Sequence, residues 1–237
     1  MIRLVLLSAA VSLVLTGCSN LLHSDAQPTQ IYILRAATHG TDSNGSGAEE
    51  ALNRRAAERG PAEATRAADG SAGAPSLQIP RPSADPGLAT QLITLVRSDH
   101  RMDYYLNSRW AADLPDLVET LVIDTLRSSG AWGAVHESPS PFLADYLLQI
   151  NIRRFEADYT SGKAAPRVYV VLDCTVARRI GRDLIASFVA EGEADATENR
   201  LSSVVTAFEQ AANAALTTMA DRSAAVAKSV PPVAAAP

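Results

Sequence analysis

Alternation of apolar and polar side chains in the second half of the chain constrains the fold more than any other sequence feature. Segments 146–153 and 168–176 carry an apolar residue at every second position. Side chains of a β-strand point to opposite faces in turn, so this period predicts strands with one buried face. Residues 180–183 form a predicted turn, and segment 184–191 pairs back as a hairpin. The sequence therefore predicts an antiparallel sheet that needs a cover on one face.

Two amphipathic helices can supply that cover. Segment 113–129 has apolar residues at helical spacing, Asp113 as a candidate N-cap, Pro115 in the first turn and Gly130 as a C-terminal stop. Segment 200–221 has a second apolar stripe of helical period. We therefore predict an α+β fold in which a mostly antiparallel sheet carries two amphipathic helices packed on one face.

The rest of the chain divides into one domain and its flanking segments. Shorter strands are predicted at 31–35, 91–97 and 102–106, the last two joined by a turn at 98–101. Residues 31–222 form the predicted single domain, interrupted at 37–76 by an insertion rich in small and charged residues that lacks an apolar stripe. The Ala, Val and Pro residues of 223–237 predict a disordered tail.

Composition excludes several classes of protein. Of the 237 residues, 47% are hydrophobic and 20% charged, as in a globular protein. The longest apolar run, residues 4–15, is shorter than the roughly 20 residues that a membrane-spanning helix needs, which excludes a multi-span membrane protein. The net charge is −5 and no block of basic residues stands out, so we expect no nucleic-acid partner.

The N-terminus resembles a bacterial lipoprotein signal. Arg3 precedes the apolar run, which ends in Leu-Thr-Gly-Cys at residues 15–18. The resemblance implies that residues 1–17 are a signal peptide and that Cys18 carries acyl chains, and residues 18–30 are then a tether. The residue after the cysteine is Ser19 rather than the aspartate that retains enteric lipoproteins at the inner membrane. By that analogy the protein is anchored in the outer membrane, on its periplasmic face.

Motifs for catalysis, metal binding and cofactor binding are missing from the sequence. No G-x-S-x-G, H-E-x-x-H, P-loop or dinucleotide fingerprint occurs, and none of the four histidines has a second ligand at metal-binding spacing. Cys174 shares the parity of the buried residues in its strand, which favours an inert thiol. We predict that the protein is not an enzyme and uses no cofactor or metal.

Segment 102–115 is the best candidate for a binding site. Tyr105, Arg109 and Trp110 lie in it, directly before the predicted helix, and arginine and aromatic residues dominate protein interfaces. The alternative is that Trp110 and one tyrosine pack the corner between strand and helix. Strand alternation would place Met102, Tyr104 and Leu106 in the core. Tyr105 and Arg109 would then form an exposed patch, with Trp110 packed behind it.

The same segment carries a family resemblance. Tyr104-Tyr105, the run Arg109-Trp110-Ala111 and Pro115, followed by Ser129-Gly130-Ala131-Trp132, resemble the auxiliary lipoproteins of MCE-type ABC transport systems, including that of the paraquat-inducible operon. The resemblance implies a non-enzymatic subunit of a system that moves lipids, phospholipid or sterol-like, between the inner and outer membranes. Its implied partners are an MCE-domain periplasmic protein, an ABC permease and an ATPase.

Two other functions are compatible with the residues alone. The chain could be a structural or assembly lipoprotein of another envelope complex, such as lipopolysaccharide export or a Tol-like machine. It could also be a periplasmic lipoprotein enzyme. Co-purified partners distinguish an assembly lipoprotein from a transport subunit. An enzyme is identified by an activity that is lost when one polar residue is substituted.

Overall fold

A computed structural model describes residues 28–37 and 74–229 of the chain. Its elements, in chain order, are β1 (Gln30–Tyr32), β2 (Ser76–Ile79), β3 (Ser83–Ala84), β4 (Leu92–Val96), β5 (Met102–Trp110), α1 (Leu114–Ser129), β6 (Ala134–Glu137), β7 (Tyr146–Asp158), β8 (Arg167–Arg178), β9 (Leu184–Asp195) and α2 (Leu201–Ser229). The predicted signal peptide, most of the tether, positions 38–73 of the insertion and positions 230–237 of the tail lie outside the described residues.

Strand β7 is the centre of the single mixed sheet. One of its edges pairs with β8 along its whole length, and β8 pairs with β9. Its other edge pairs in turn with β2, β3 and β4. Strand β2 also pairs with β6, and β4 pairs with β5, which in turn pairs with β1. The longest pairings are antiparallel, which confirms the predicted α+β fold with a mostly antiparallel sheet. Five short parallel pairings of two to four residues each were not predicted.

Helix α1 begins and ends as the sequence predicts, but its first turn is capped differently. The Asp113 side chain makes no capping hydrogen bond; its backbone carbonyl instead accepts from the amides of Asp116 and Leu117, both at 3.0 Å. Pro115 occupies the first turn, where a missing N–H removes no helix bond. Gly130 ends the helix in a left-handed conformation, with φ of 63°.

Helix α2 approaches the sheet closely because the residues at the contact are small. Ala207, Ala211 and Ala215 are buried on its sheet-facing side. A Cβ atom on Gly192 of β9 would overlap the Ala211 carbonyl and lie 2.7 Å from the Ala215 backbone nitrogen. Alanine and glycine therefore let the helix backbone lie against β9.

The predicted tail boundary at residue 223 is wrong. Helix α2 continues to Ser229, and Ser223 and Ala227 are buried on its inner face. Small residues such as these can continue the buried face of a helix where the neighbouring backbone comes close. A search for large apolar residues at helical spacing does not find them. Within the described residues, no helix is both long and apolar enough to cross a membrane.

Three aromatic rings join the sheet to the helix layer. The Trp110 ring lies edge-on to Phe155 of β7 and Phe208 of α2, with centroid distances of 6.1 and 5.2 Å. Phe155 and Phe208 stack on each other at 5.2 Å. Edge-to-face pairs add stability beyond the area that they bury. This cluster fixes the end of β5 against the core.

Candidate functional site: the Arg109 patch

The geometry of the candidate segment depends on a bulge in β5. Thr94 of β4 pairs with Tyr104, but Leu92 pairs with Arg109, so residues 105–108 are opposite a single residue of β4. Asn107 within the bulge has a left-handed backbone, with φ of 51°. A bulge of this kind resets the alternation of faces along a strand. Ser108, at its end, and Trp110, after it, point into the core.

The bulge overturns the predicted core set of β5. Leu106 is 89% exposed and Met102 is also exposed, although both were expected in the core. Tyr104 is half-buried, and its hydroxyl donates to the Gly87 carbonyl at 3.2 Å. Met102, Tyr104 and Leu106 do share one face, as predicted, but it is the face opposite to the one that holds Trp110, because the bulge lies between them.

Tyr105 lies on the opposite side from the one predicted. It is half-buried against the core, and its hydroxyl lies 2.8 Å from the hydroxyl of Tyr159. Because Tyr159 donates its own proton to Asn199 Oδ1 at 2.7 Å, Tyr105 is the donor to Tyr159. Burial, then this hydrogen bond, raises the pKa of Tyr105 well above its usual range. Tyr105 thus joins the bulge to the beginning of the β7–β8 connection, at Tyr159, and through it to Asn199, just before α2.

Trp110 is 1% exposed and fills the aromatic cluster described above. It is therefore not available to a partner in this conformation. Of the two interpretations left open by the sequence, packing at the strand–helix corner describes Trp110.

Arg109 is exposed on the face of the sheet away from the helices. Its Nη1 donates to Gln91 Oε1 at 3.3 Å. The register places Ile31 of β1 on one side of Arg109 and Leu92 of β4 on the other. Ile31 is 57% exposed, and Leu92 and Ile33 are also exposed. We call Ile31, Ile33, Leu92 and Arg109 the Arg109 patch.

The sequence did not predict that the three apolar members of the patch are exposed. Ile31 and Ile33 alternate with Tyr32 and Leu34 in a segment that is apolar throughout, so the sequence does not show which pair faces solvent. Pairing with β5 decides it, because Tyr32 aligns with the inward-facing Trp110. Exposed aliphatic side chains beside an arginine suit contact with another protein.

The segment after β1 is fastened to α2 by side chains of the helix. The Arg35 amide donates to Glu209 Oε1 at 3.2 Å and the Ala37 amide to Asn213 Oδ1 at 2.8 Å. The Asn213 side-chain amide also donates to the Arg35 carbonyl at 3.3 Å. These bonds hold β1, and with it Ile31 and Ile33, in a defined position at the edge of the sheet.

Cys174 lies in the core, where burial raises the pKa of its thiol to about 12. It is therefore a thiol and not a thiolate at neutral pH, in agreement with the interpretation of an inert side chain. Among the described residues, no three His, Cys, Asp or Glu side chains form a group that could hold a metal ion.

Comparison with known proteins identifies the family. A family model described as "ABC-type transport auxiliary lipoprotein component" matches residues 59–220. The chain belongs to this family. As an auxiliary lipoprotein, it is a component associated with an ABC-type transport system. The match begins inside the predicted insertion and ends within α2.

Solved structures share the fold of this auxiliary lipoprotein. A Xanthomonas campestris protein of family DUF330 has a TM-score of 0.61 and 24% identity, covering 66% of this chain and 87% of its own. An uncharacterised protein has a TM-score of 0.57 and 13% identity, covering 83% of this chain and 99% of its own. At these identities the similarity concerns the fold. No match is found among curated proteins.

Proposed function

We propose that this auxiliary lipoprotein is the non-enzymatic outer-membrane subunit of an MCE-type ABC transport system that moves lipids between the two membranes. Its membership of a transport-associated lipoprotein family supports the proposal, and the MCE assignment rests on the resemblance of the segment around Tyr104 and Trp110. The structural observation that carries it is the Arg109 patch. An exposed apolar surface around an arginine is suited to holding a subunit in an assembly.

The proposal includes an anchor at Cys18. Each CH₂ group of an acyl chain that enters a bilayer contributes about 0.8 kcal/mol to the free energy of membrane binding. A protein with one acyl chain therefore binds only weakly, and a protein with two or three stays bound. The anchored residue lies only twelve positions before Gln30, where β1 begins. The Arg109 patch, which includes Ile31, is therefore tied to the periplasmic side of the membrane by a segment of only twelve residues.

The Arg109 patch is the proposed contact with the MCE-domain partner. Ile31, Leu92 and Arg109 lie side by side on three adjacent strands, so a partner can cover them together. Fully burying a large aliphatic side chain contributes about 1.5–3 kcal/mol, and these partly exposed ones contribute a fraction of that. Arg109 adds a charged group that favours a partner with a nearby carboxylate.

Affinity purification tests the proposal directly. The full-length lipoprotein is purified from detergent-solubilised membranes, and co-purifying proteins are identified by mass spectrometry. We expect an MCE-domain protein with its permease and ATPase, and we expect Arg109→Glu to weaken partner recovery about tenfold, as loss of an interface anchor does. Arg200→Glu is the matched control, because the Arg200 side chain is 74% exposed at a site distant in sequence from the patch.

Other outcomes contradict the proposal. Recovery of lipopolysaccharide-export or Tol components in place of the MCE proteins favours the alternative of an assembly lipoprotein. Equal recovery from Arg109→Glu and wild type excludes the Arg109 patch as the contact.

A further inference from the structure

The topology gives the domain two distinct ends with respect to its anchor. Strand β1 runs parallel to β5, β5 antiparallel to β4, and β4 parallel to β7, so β1 and β7 run in opposite directions. The chain therefore enters β1 from the end of the sheet at which β7 finishes, Asp158. The opposite end holds the loop 138–145, before β7, and the turn 179–183, between β8 and β9.

Exposed apolar side chains concentrate at this opposite end. Of the nine exposed large apolar residues in the described part of the chain, four lie here: Phe142, Leu143, Ile180 and Leu184. Leu143 and Ile180 are each 80% exposed. The amide of Arg179 donates to the Asp145 carbonyl at 2.9 Å and joins the loop to the turn. We call these four residues, with Arg182, the far-end tip.

The shape of the far-end tip is fixed by its backbone. Gly181 has φ of 87° and Arg182 has φ of 58°, so the turn uses two consecutive left-handed residues. The Arg178 amide donates to the Asp183 carbonyl at 2.9 Å and closes the turn. On the other segment, the Phe142 ring stacks on His136 with centroids 5.5 Å apart. Both segments therefore present their apolar side chains from defined positions.

Basic side chains outnumber acidic ones around the far-end tip, by three to two. Arg178 and Arg179 lie beside the exposed Arg182, and the carboxylates among these residues are the exposed Asp183 and the neighbouring Asp145. The neighbouring Asp145 carboxylate is occupied by the amide and hydroxyl of Ser76, at 2.8 and 2.7 Å. The Arg179 side chain bonds Gln78, which leaves Arg182 as the group best placed to meet a charge from outside.

We infer that the far-end tip is a docking surface for a periplasmic protein that offers an apolar site bordered by carboxylates. This inference rests on the Cys18 anchor of the proposed function. From Cys18 to Gln30 the chain spans at most about 40 Å, and the start of β7 lies roughly 25 Å along the sheet from Gln30, on the side away from the tether. The far-end tip therefore lies at the end of the domain opposite the tether, where a protein of the periplasm can reach it.

Site-specific photo-crosslinking in cells tests the inference with the full-length, lipidated protein. A photoreactive amino acid replaces Leu143 or Ile180, and Leu106, which is 89% exposed on the bulge of β5, is the matched control position. We expect positions 143 and 180 to label the same protein, at an apolar site with flanking Asp or Glu, and position 106 not to label it. Arg182→Asn, which suits a left-handed backbone, should lower the yield about tenfold, and Arg200→Asn should not.

Other results overturn the inference. The inference is wrong if positions 143 and 180 crosslink only to phospholipid, only to a second copy of this chain, or to nothing at all. If MCE proteins co-purify while these positions give no protein adduct, the inference fails and the proposed function stands. If both positions label a protein and the MCE components do not co-purify, the far-end tip is a docking surface and the proposed function fails.

Discussion

Single hydrogen bonds hold together parts of this protein that are far apart in sequence. The hydroxyls of Tyr105 and Tyr159 and the side chain of Asn199 form one chain of hydrogen bonds that links β5, the β7–β8 connection and the start of α2. Its first member is half-buried, so the loss of one hydroxyl leaves a poorly solvated acceptor.

Tyr105→Phe should therefore lower the free energy of unfolding by about 1 kcal/mol. Tyr104→Phe is the control, because the Tyr104 hydroxyl bonds a single carbonyl at 3.2 Å in an exposed position. Urea denaturation of both variants measures the difference. A larger loss for Tyr104→Phe would show that Tyr105 is the residue facing solvent.

Gly192 is the residue that lets α2 lie against β9. Gly192→Ala should lower the free energy of unfolding by about 1–3 kcal/mol or more, because the added Cβ meets helix backbone that cannot rotate away. Ser187→Ala, at an exposed position of the same strand, controls for strand propensity. Thermal and urea denaturation provide the measurement. Unchanged stability in Gly192→Ala would mean that the helix lies farther from the sheet.

At the scale of elements, the last two turns of α2 belong to the domain. The buried positions Ser223 and Ala227 continue the stripe that includes Met219. Both residues are small, so each of them buries little surface alone.

A chain ending at residue 222 should thus be less stable than one ending at residue 229, by about 1–2 kcal/mol for the small apolar groups that lose their cover. The chain ending at 229 should match the full-length protein. Urea denaturation of the three forms checks this. Equal stability of all three would restore the boundary predicted from the sequence.

At the scale of the whole molecule, the proposed attachment to the membrane depends on one residue. Cys18→Ala should leave the protein uncleaved or released from the outer membrane, because the acyl chains on Cys18 supply nearly all of the expected membrane affinity. Membrane fractionation and the mass of the product measure the effect. A variant of mature size that still fractionates with the outer membrane would show that another part of the chain binds it.

The sequence alone determined the elements whose signal is local. Alternation at 146–153 and 168–176 predicts β7 and β8, and amphipathic spacing predicts α1 and most of α2, because each pattern reflects burial on one side of a regular element. The motif ending in Cys18 predicts the anchor in the same local way. These features predict an α+β lipoprotein.

Only the tertiary structure decided which surfaces are free. The bulge at 105–108 puts Tyr105 and Trp110 on the same face of β5 and Leu106 on the other, and strand alternation cannot reveal a bulge that depends on pairing with β4. The parallel pairs of β7 with β2, β3 and β4 likewise join segments distant in sequence. Phe142 and Ile180 lie at the same end of the sheet for the same reason: pairing of β7 with β8 brings their loops together, and no local pattern records which strands become neighbours.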